Sequence, residues 1–225
     1  MVATVLFAGI HSLLASRTVK SATVALFGER QRNGLYRPFY NIVAIATFGW
    51  LILYGTRLPD RELYRVRGTF ARLMRLGQFA AVLYILYGVW QIGFLRFYGI
   101  SNLMKLLEGH SHILPEPEAQ GPILDVDGEM KAAGPFRISR HPLSFGMLPL
   151  FWLMPRMTVN LAAFNLITTI YLFVGAIHEE RRLLAAYGSA YEGYQRNGAD
   201  FFVSSVSRLL EPESNRPKET ANFNI

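Results

Sequence analysis

The chain contains no cysteine, which excludes disulfides, thiolate nucleophiles in the protein and cysteine-ligated metals. Charge is also scarce: 17% of the 225 residues are Asp, Glu, Lys or Arg, where soluble domains carry about 25%. The first 16 residues lack the basic leading segment and small-residue cleavage site of a secretion signal, so they read as a retained first helix with His11 inside it, bonded to a neighbouring helix. Histidine is sparse as well. His110-Ser111-His112 has no third ligand of defined spacing, so it reads as solvent-exposed, and no metal site is expected. There is no internal repeat. Residues 1–210 form a single domain, and the polar, proline-containing residues 211–225 read as a disordered tail.

What the chain has in abundance is apolar residues, 51% of the total, gathered in runs. Residues 39–56, 76–95 and 157–177 are uncharged for about 18–21 residues each, the length that crosses about 30 Å of hydrocarbon as helix. The fold class is all-α: a polytopic membrane protein of about five transmembrane helices, ending in a helical hairpin and an interfacial C-terminal helix. The net charge of +7 then reads as headgroup anchoring beside the spans, and nucleic acid is not expected as a partner. Residues 17–37 form a basic connection, with Pro38 suited to the first turn of the second span. Residues 57–75 are also Arg-rich although alternation places them on the opposite side, which leaves orientation open. Gln78 and Gln91 are the strongly polar members of the third span. Residues 96–133 read as a long loop over the site.

Residues 134–180 organise the rest. Gly134-Pro135-Phe136-Arg137-Ile138-Ser139-Arg140-His141-Pro142 opens the stretch, His178-Glu179-Glu180 closes it, and about 35 residues between them carry one charge, Arg156, after Pro155. A hairpin turning at Pro155-Arg156 brings Arg140, His141, Glu179 and Glu180 together at one membrane surface. Proline disfavours helix at the residue before it, so Arg140 and His141 are held at a helix start, where backbone N–H groups favour an anion. Arg140 can grip a carboxylate in bidentate fashion, and the glutamates can accept from an ammonium or from hydroxyls. That complementarity permits S-adenosylmethionine; an Arg–Glu network that merely closes the hairpin explains the same residues.

The segment GPFRISRHPLSFG, a hairpin, then HEERRLLAAYGSAYEGY resembles the integral-membrane methyltransferases, which include the isoprenylcysteine carboxyl and phospholipid N-methyltransferases. The resemblance covers about residues 134–194, with Ser144-Phe145 where the pattern has a tyrosine. FAGIHSLLASRTVK, RPFYNIVA and FWLMPRMTVN resemble the bacterial branch of methanethiol S-methyltransferases and NnrU-like proteins. The resemblance implies a cofactor, S-adenosylmethionine, leaving as S-adenosylhomocysteine. It implies that Gly134, Phe136, Arg140, His141, Pro142 and Gly146 shape the cofactor cleft, that Glu179 and Glu180 bind its polar end, and that Tyr187 and Tyr191 flank it. Arg140, Glu180 and His141 are the expected catalytic residues. Methyl transfer to a small thiol is the implied reaction, with an isoprenylcysteine carboxylate or a phospholipid amine as alternative acceptor. The implied setting is a bacterial inner membrane with the site facing the cytoplasm. A non-catalytic scaffold of the same fold, or a haem- or quinone-binding protein using His11, His141 or His178, are the competing readings.

Overall fold

The computed structural model describes residues 1–113, 121–122, 124, 127–130 and 132–204; the expected tail and much of the acidic part of the 96–133 segment lie outside the described residues. Helices α1 (Val2–Ala15) and α2 (Arg17–Phe27) meet at a bend of 53°, where the Ser16 side chain accepts from the Val19 amide and caps α2. Then follow α3 (Glu29–Gly55), a short strand β1 (Glu62–Arg65), α4 (Gly68–Ile92), α5 (Phe94–Tyr98) and α6 (Ile100–Leu107). A 3-10 helix (Gly134–Arg137) leads to α7 (Pro142–Trp152), β2 (Arg156–Thr158), α8 (Val159–Tyr187) and α9 (Ser189–Asn197). Among the described residues, α3, α4 and α8 are each long and apolar enough to cross a membrane, and the bent pair α1–α2 makes a fourth span if counted as one. Their outward faces carry large apolar side chains, among them Ile42, Ile45, Leu53, Phe79, Leu83, Ile170 and Phe173, as lipid contact requires.

Several local expectations are corrected. Residues 17–37 are not a loop: they form α2 and the first turns of α3, so Pro38 lies inside a helix. Glu29 in the first turn of α3 suits the helix dipole, which places the helix start nine residues earlier than the proline signals. The 96–133 segment begins as two short helices, α5 and α6, and Asn33 and Asn102 tie α6 to α3, Asn102 Nδ2 donating to the Asn33 carbonyl at 3.1 Å. The Arg-rich 57–75 segment is divided between β1 and the start of α4.

β1 pairs antiparallel with β2, Glu62 opposite Thr158 and Arg65 opposite Arg156. The hairpin turn at Pro155-Arg156 is therefore bound to the α3–α4 connection. Glu62 accepts from Arg65 at 2.6 Å and from Arg156 at 2.8 Å, so part of the basic charge at this end is neutralised locally. The first arm of the hairpin, α7, has 11 residues, about 16 Å of helix, and stops short of a crossing. Its last carbonyls need partners in an apolar setting. Gln78 of α4 donates to the Leu150 carbonyl at 2.9 Å, and buried Asn165 of α8 donates to Phe151 at 2.8 Å. The glutamine that looks out of place in an apolar span thus satisfies the end of a neighbouring helix. Gly146 lets α7 lie on α4: a Cβ there would come within 2.6 Å of Ile85 and 3.1 Å of Tyr84.

Candidate functional site

At the end of the molecule away from the β-ribbon, the two distant polar patches meet. Proline at position 142 makes His141 the N-cap of α7 and leaves Arg140 and His141 on irregular backbone. About six turns of α8, counted from Val159, carry Glu179 and Glu180 to the same level. Arg140 Nε lies 2.9 Å from Glu180 Oε1. The buried His141 ring faces both acids, Nδ1 at 3.1 Å from Glu179 and Nε2 at 2.9 Å from Glu180. Glu180 Oε1 also accepts from the Tyr191 hydroxyl at 2.8 Å, and its Oε2 accepts from Gln195. Four side chains, two from the corner before α7 and two from α9, therefore converge on one carboxylate.

Residues 198–204 pass beneath this cluster. Arg140 donates to the Ala199 carbonyl at 3.1 Å, its amide donates to the Asp200 carbonyl at 3.0 Å, and its guanidinium lies 5.8 Å from the Phe201 ring. The His141 amide donates to Ser139 Oγ at 3.0 Å, and that hydroxyl donates to the Phe201 carbonyl. Gln195, Ser139 and this strap have no motif signature.

The remaining expected residues occupy varied places. Phe136 is buried in the core with Ile92, Leu183, Tyr191 and Tyr194. Gly134 opens the 3-10 helix against the Tyr87 ring, Pro142 is buried at the first turn of α7, and Gly146 faces α4. Tyr187 packs on the edge of the core. Tyr191 and Tyr194 of α9 face the core and not the membrane surface: both are buried, and the Tyr194 hydroxyl donates to the Phe136 carbonyl at 2.8 Å. Burial and the nearby Glu180 push the Tyr191 hydroxyl's pKa upward, so it donates throughout the physiological range.

Burial lowers the pKa of His141, but its hydrogen bonds to Glu179 and Glu180 outweigh that and hold it above the ordinary 6.5. The imidazolium donates from both ring nitrogens, clamping the two acids. A group whose pKa rises on folding contributes stability in full below its unfolded value, and that contribution fades as pH climbs through the folded value. Thermal unfolding of the detergent-purified protein should therefore occur at progressively lower temperature as pH rises past 6.5, and His141→Gln should flatten that part of the profile. A variant that keeps the wild-type slope would remove His141 from this role.

Beside the cluster lies a cavity of about 390 Å³ between α1, α3 and α8, with Ser144 of α7 and Phe97 of α5 on its wall. Its volume falls within the range of small-molecule sites. Glu179 lines it, whereas Glu180 does not. His11, Tyr40 and Tyr171 line its deeper part, the Tyr40 hydroxyl meeting His11 Nε2. Thus His11 is bonded to a neighbouring helix as expected and also faces a cavity. Two of the three short stretches that resemble the bacterial branch supply its wall: His11, Ala15 and Lys20 from the first, Arg37, Tyr40, Asn41 and Ala44 from the second. His178, His110 and His112 are exposed, and His110 contacts Glu108 at 3.2 Å.

A family model described as NnrU protein matches residues 1–197. The chain belongs to the NnrU family. Several relatives resemble the chain at modest identity. A methanethiol S-methyltransferase of Pseudomonas deceptionensis is 39% identical over 80 residues, 36% of this chain and 30% of that protein. Methanethiol S-methyltransferase 1 of Bradyrhizobium diazoefficiens is 24% identical over 196 residues, 85% of this chain and 61% of that protein. A methanethiol S-methyltransferase of Crocosphaera subtropica is 25% identical over 191 residues, covering 85% and 68%. The matched region spans less than a third of the first relative and about two thirds of the others. No solved structure matches the chain.

Proposed function

We propose that this NnrU-family membrane protein transfers a methyl group from S-adenosylmethionine to a small or lipophilic acceptor, with a thiol as the first candidate. The observation that carries this reading is the meeting of Arg140-His141 with Glu179-Glu180 beside a cavity of about 390 Å³; the relatives named as methanethiol S-methyltransferases support the choice of chemistry.

The residues present fit the cofactor. Its amino-acid end is a zwitterion, and the site offers both complements at one level. Glu179, the carboxylate on the cavity wall, would hold the ammonium. Arg140 commits Nε to Glu180 and one terminal nitrogen to Ala199, and its other terminal nitrogen would hold the carboxylate. Glu180, His141, Tyr191 and Gln195 act as positioning residues: together they fix the Arg140 guanidinium and, through the imidazolium, the Glu179 carboxylate. Phe136, Gly134, Pro142 and Gly146 set the backbone on which that frame rests. The cofactor supplies an electrophilic methyl on a sulfonium whose charge is lost on transfer, so the water-poor end of a helical bundle favours the reaction. Orientation of the acceptor's attacking atom by the cavity wall supplies the remaining advantage.

The site end is rich in Arg and Lys from α2, the start of α3 and α9, which supports placing it on the cytoplasmic side of a bacterial inner membrane. Purified full-length protein in detergent, titrated calorimetrically with S-adenosylhomocysteine, should show saturable binding. Label from methyl-tritiated cofactor should pass to small thiols in preference to prenylcysteine analogues and aminophospholipids. Absence of S-adenosylhomocysteine binding to folded protein would overturn the proposal.

A further inference from the structure

Among the buried polar atoms on residues lining the 390 Å³ cavity that lack a hydrogen-bond partner within the described residues are Arg182 Nε, from α8, and His11 Nδ1, from α1. Buried donors without partners are costly and rare, and each calls for an explanation. Arg182 Nε can only donate, since guanidinium does not lose its proton in proteins. The Tyr40 hydroxyl meets His11 Nε2; in the tautomer in which that hydroxyl donates, the imidazole carries its proton on Nδ1 and donates there too. Arg182 Nε asks for an acceptor in every case, and His11 Nδ1 joins it in that tautomer. The charge around them points the same way. Lys20, Arg32 and Arg37 also line the cavity, and Glu179 is the one acid on its wall among the described residues. A small apolar surface from Ala44, Leu172 and Gly175 completes the wall, enough to take a short hydrocarbon body behind a charged head.

We infer that this cavity binds the methyl acceptor as an anion, a thiolate or a carboxylate held by Arg182 and His11, and that it discriminates against amines. The role of the bound anion rests on the methyl-transfer reading; the binding itself does not. The chemistry closes without a protein base. A thiol gives up its proton to water on binding, and the thiolate's lone pair forms the new carbon–sulfur bond. The electron pair of the bond that breaks stays on the donor sulfur, leaving two neutral thioethers. An amine has to arrive deprotonated among these cations, and its methylation moves the sulfonium's positive charge onto the nitrogen beside them, where a thiolate would have cancelled it.

Thiophenol, benzoate and benzylamine form a matched set of probes, because they share a ring and differ in the charge they can carry. The thiophenolate absorbs at longer wavelength than the thiol, so its ionisation is read optically, independent of turnover. With full-length protein in detergent, bound thiophenol should ionise at least about one pH unit lower than in detergent alone, a tenfold stabilisation of the anion. Benzoate should displace it and benzylamine should not. Arg182→Gln should abolish the shift and Arg182→Lys should restore part of it. Displacement by benzylamine as effective as by benzoate, or a full shift in folded Arg182→Gln, would overturn the inference. If Arg182→Gln loses its helical circular dichroism, His11→Phe decides, and an undiminished shift there is equally fatal. S-adenosylhomocysteine titrations of the same samples separate the two claims. A shift without cofactor binding upholds the anion site and removes the methyl-transfer reading, whereas cofactor binding without a shift does the reverse.

Discussion

Glu180→Ala is expected to abolish binding of S-adenosylhomocysteine and to lower the stability of the detergent-purified protein by about 3–5 kcal/mol, the usual cost of removing one partner of a buried ion pair. The magnitude follows from what remains behind. Arg140 and Glu180 are 15% and 13% exposed at their side chains, so the guanidinium left alone has little water to turn to. The same substitution strips acceptors from the His141 ring, the Tyr191 hydroxyl and the Gln195 amide. Glu180→Gln should be milder in stability, because its amide oxygen still accepts, yet binding should fall nearly as far, because the Arg140 orientation depends on charge. Thermal unfolding and calorimetry on the three proteins give both quantities. Full methyl transfer by Glu180→Ala would remove this carboxylate from the machinery.

Gly198→Ala should have the second-largest effect, although no catalytic chemistry touches position 198. A Cβ there would collide with the Tyr194 carbonyl oxygen and with the Tyr194 ring. The ring might rotate in another protein, but here its hydroxyl is tied to the Phe136 carbonyl, and the backbone oxygen accepts the Gly198 amide and ends α9. Relief of the clash has to displace residues 199 and 200, the two carbonyls that hold Arg140. We expect a loss of about 1–3 kcal/mol, typical of overpacking, together with weaker S-adenosylhomocysteine binding than that stability loss explains. Arg140→Lys serves as the comparison, since it keeps the charge and discards the geometry. An Ala variant that unfolds earlier but binds normally would show that the strap is scaffolding only.

The spans and the convergence of the site were legible because each rests on a local rule. Uninterrupted apolar runs reveal α4 and α8, and Arg-His-Pro reveals a helix start. The hairpin then has one way to close. The start of α3 was not legible, because Pro38 gives the strongest helix-start signal in its neighbourhood and the helix runs through it. The β-ribbon was hidden because it pairs Glu62 with Thr158 and Arg65 with Arg156, a separation in sequence that no periodicity reports. The burial of Tyr191 and Tyr194 was hidden for a different reason: tyrosine at helical spacing has the same pattern whether the ring faces headgroups or a neighbouring core. The cavity was the least visible of all. Its donors come from α1, α2, α3 and α8, and nothing in any one segment announces that His11 and Arg182 are neighbours of the same space.

The β-ribbon stitches the hairpin turn to the α3–α4 connection by backbone pairing, whereas the opposite end of the hairpin is joined by side chains of the ninth helix and by carbonyls of the strap. One rim of the molecule is thereby anchored by main chain, and the rim that gathers the charged groups is anchored by those groups themselves.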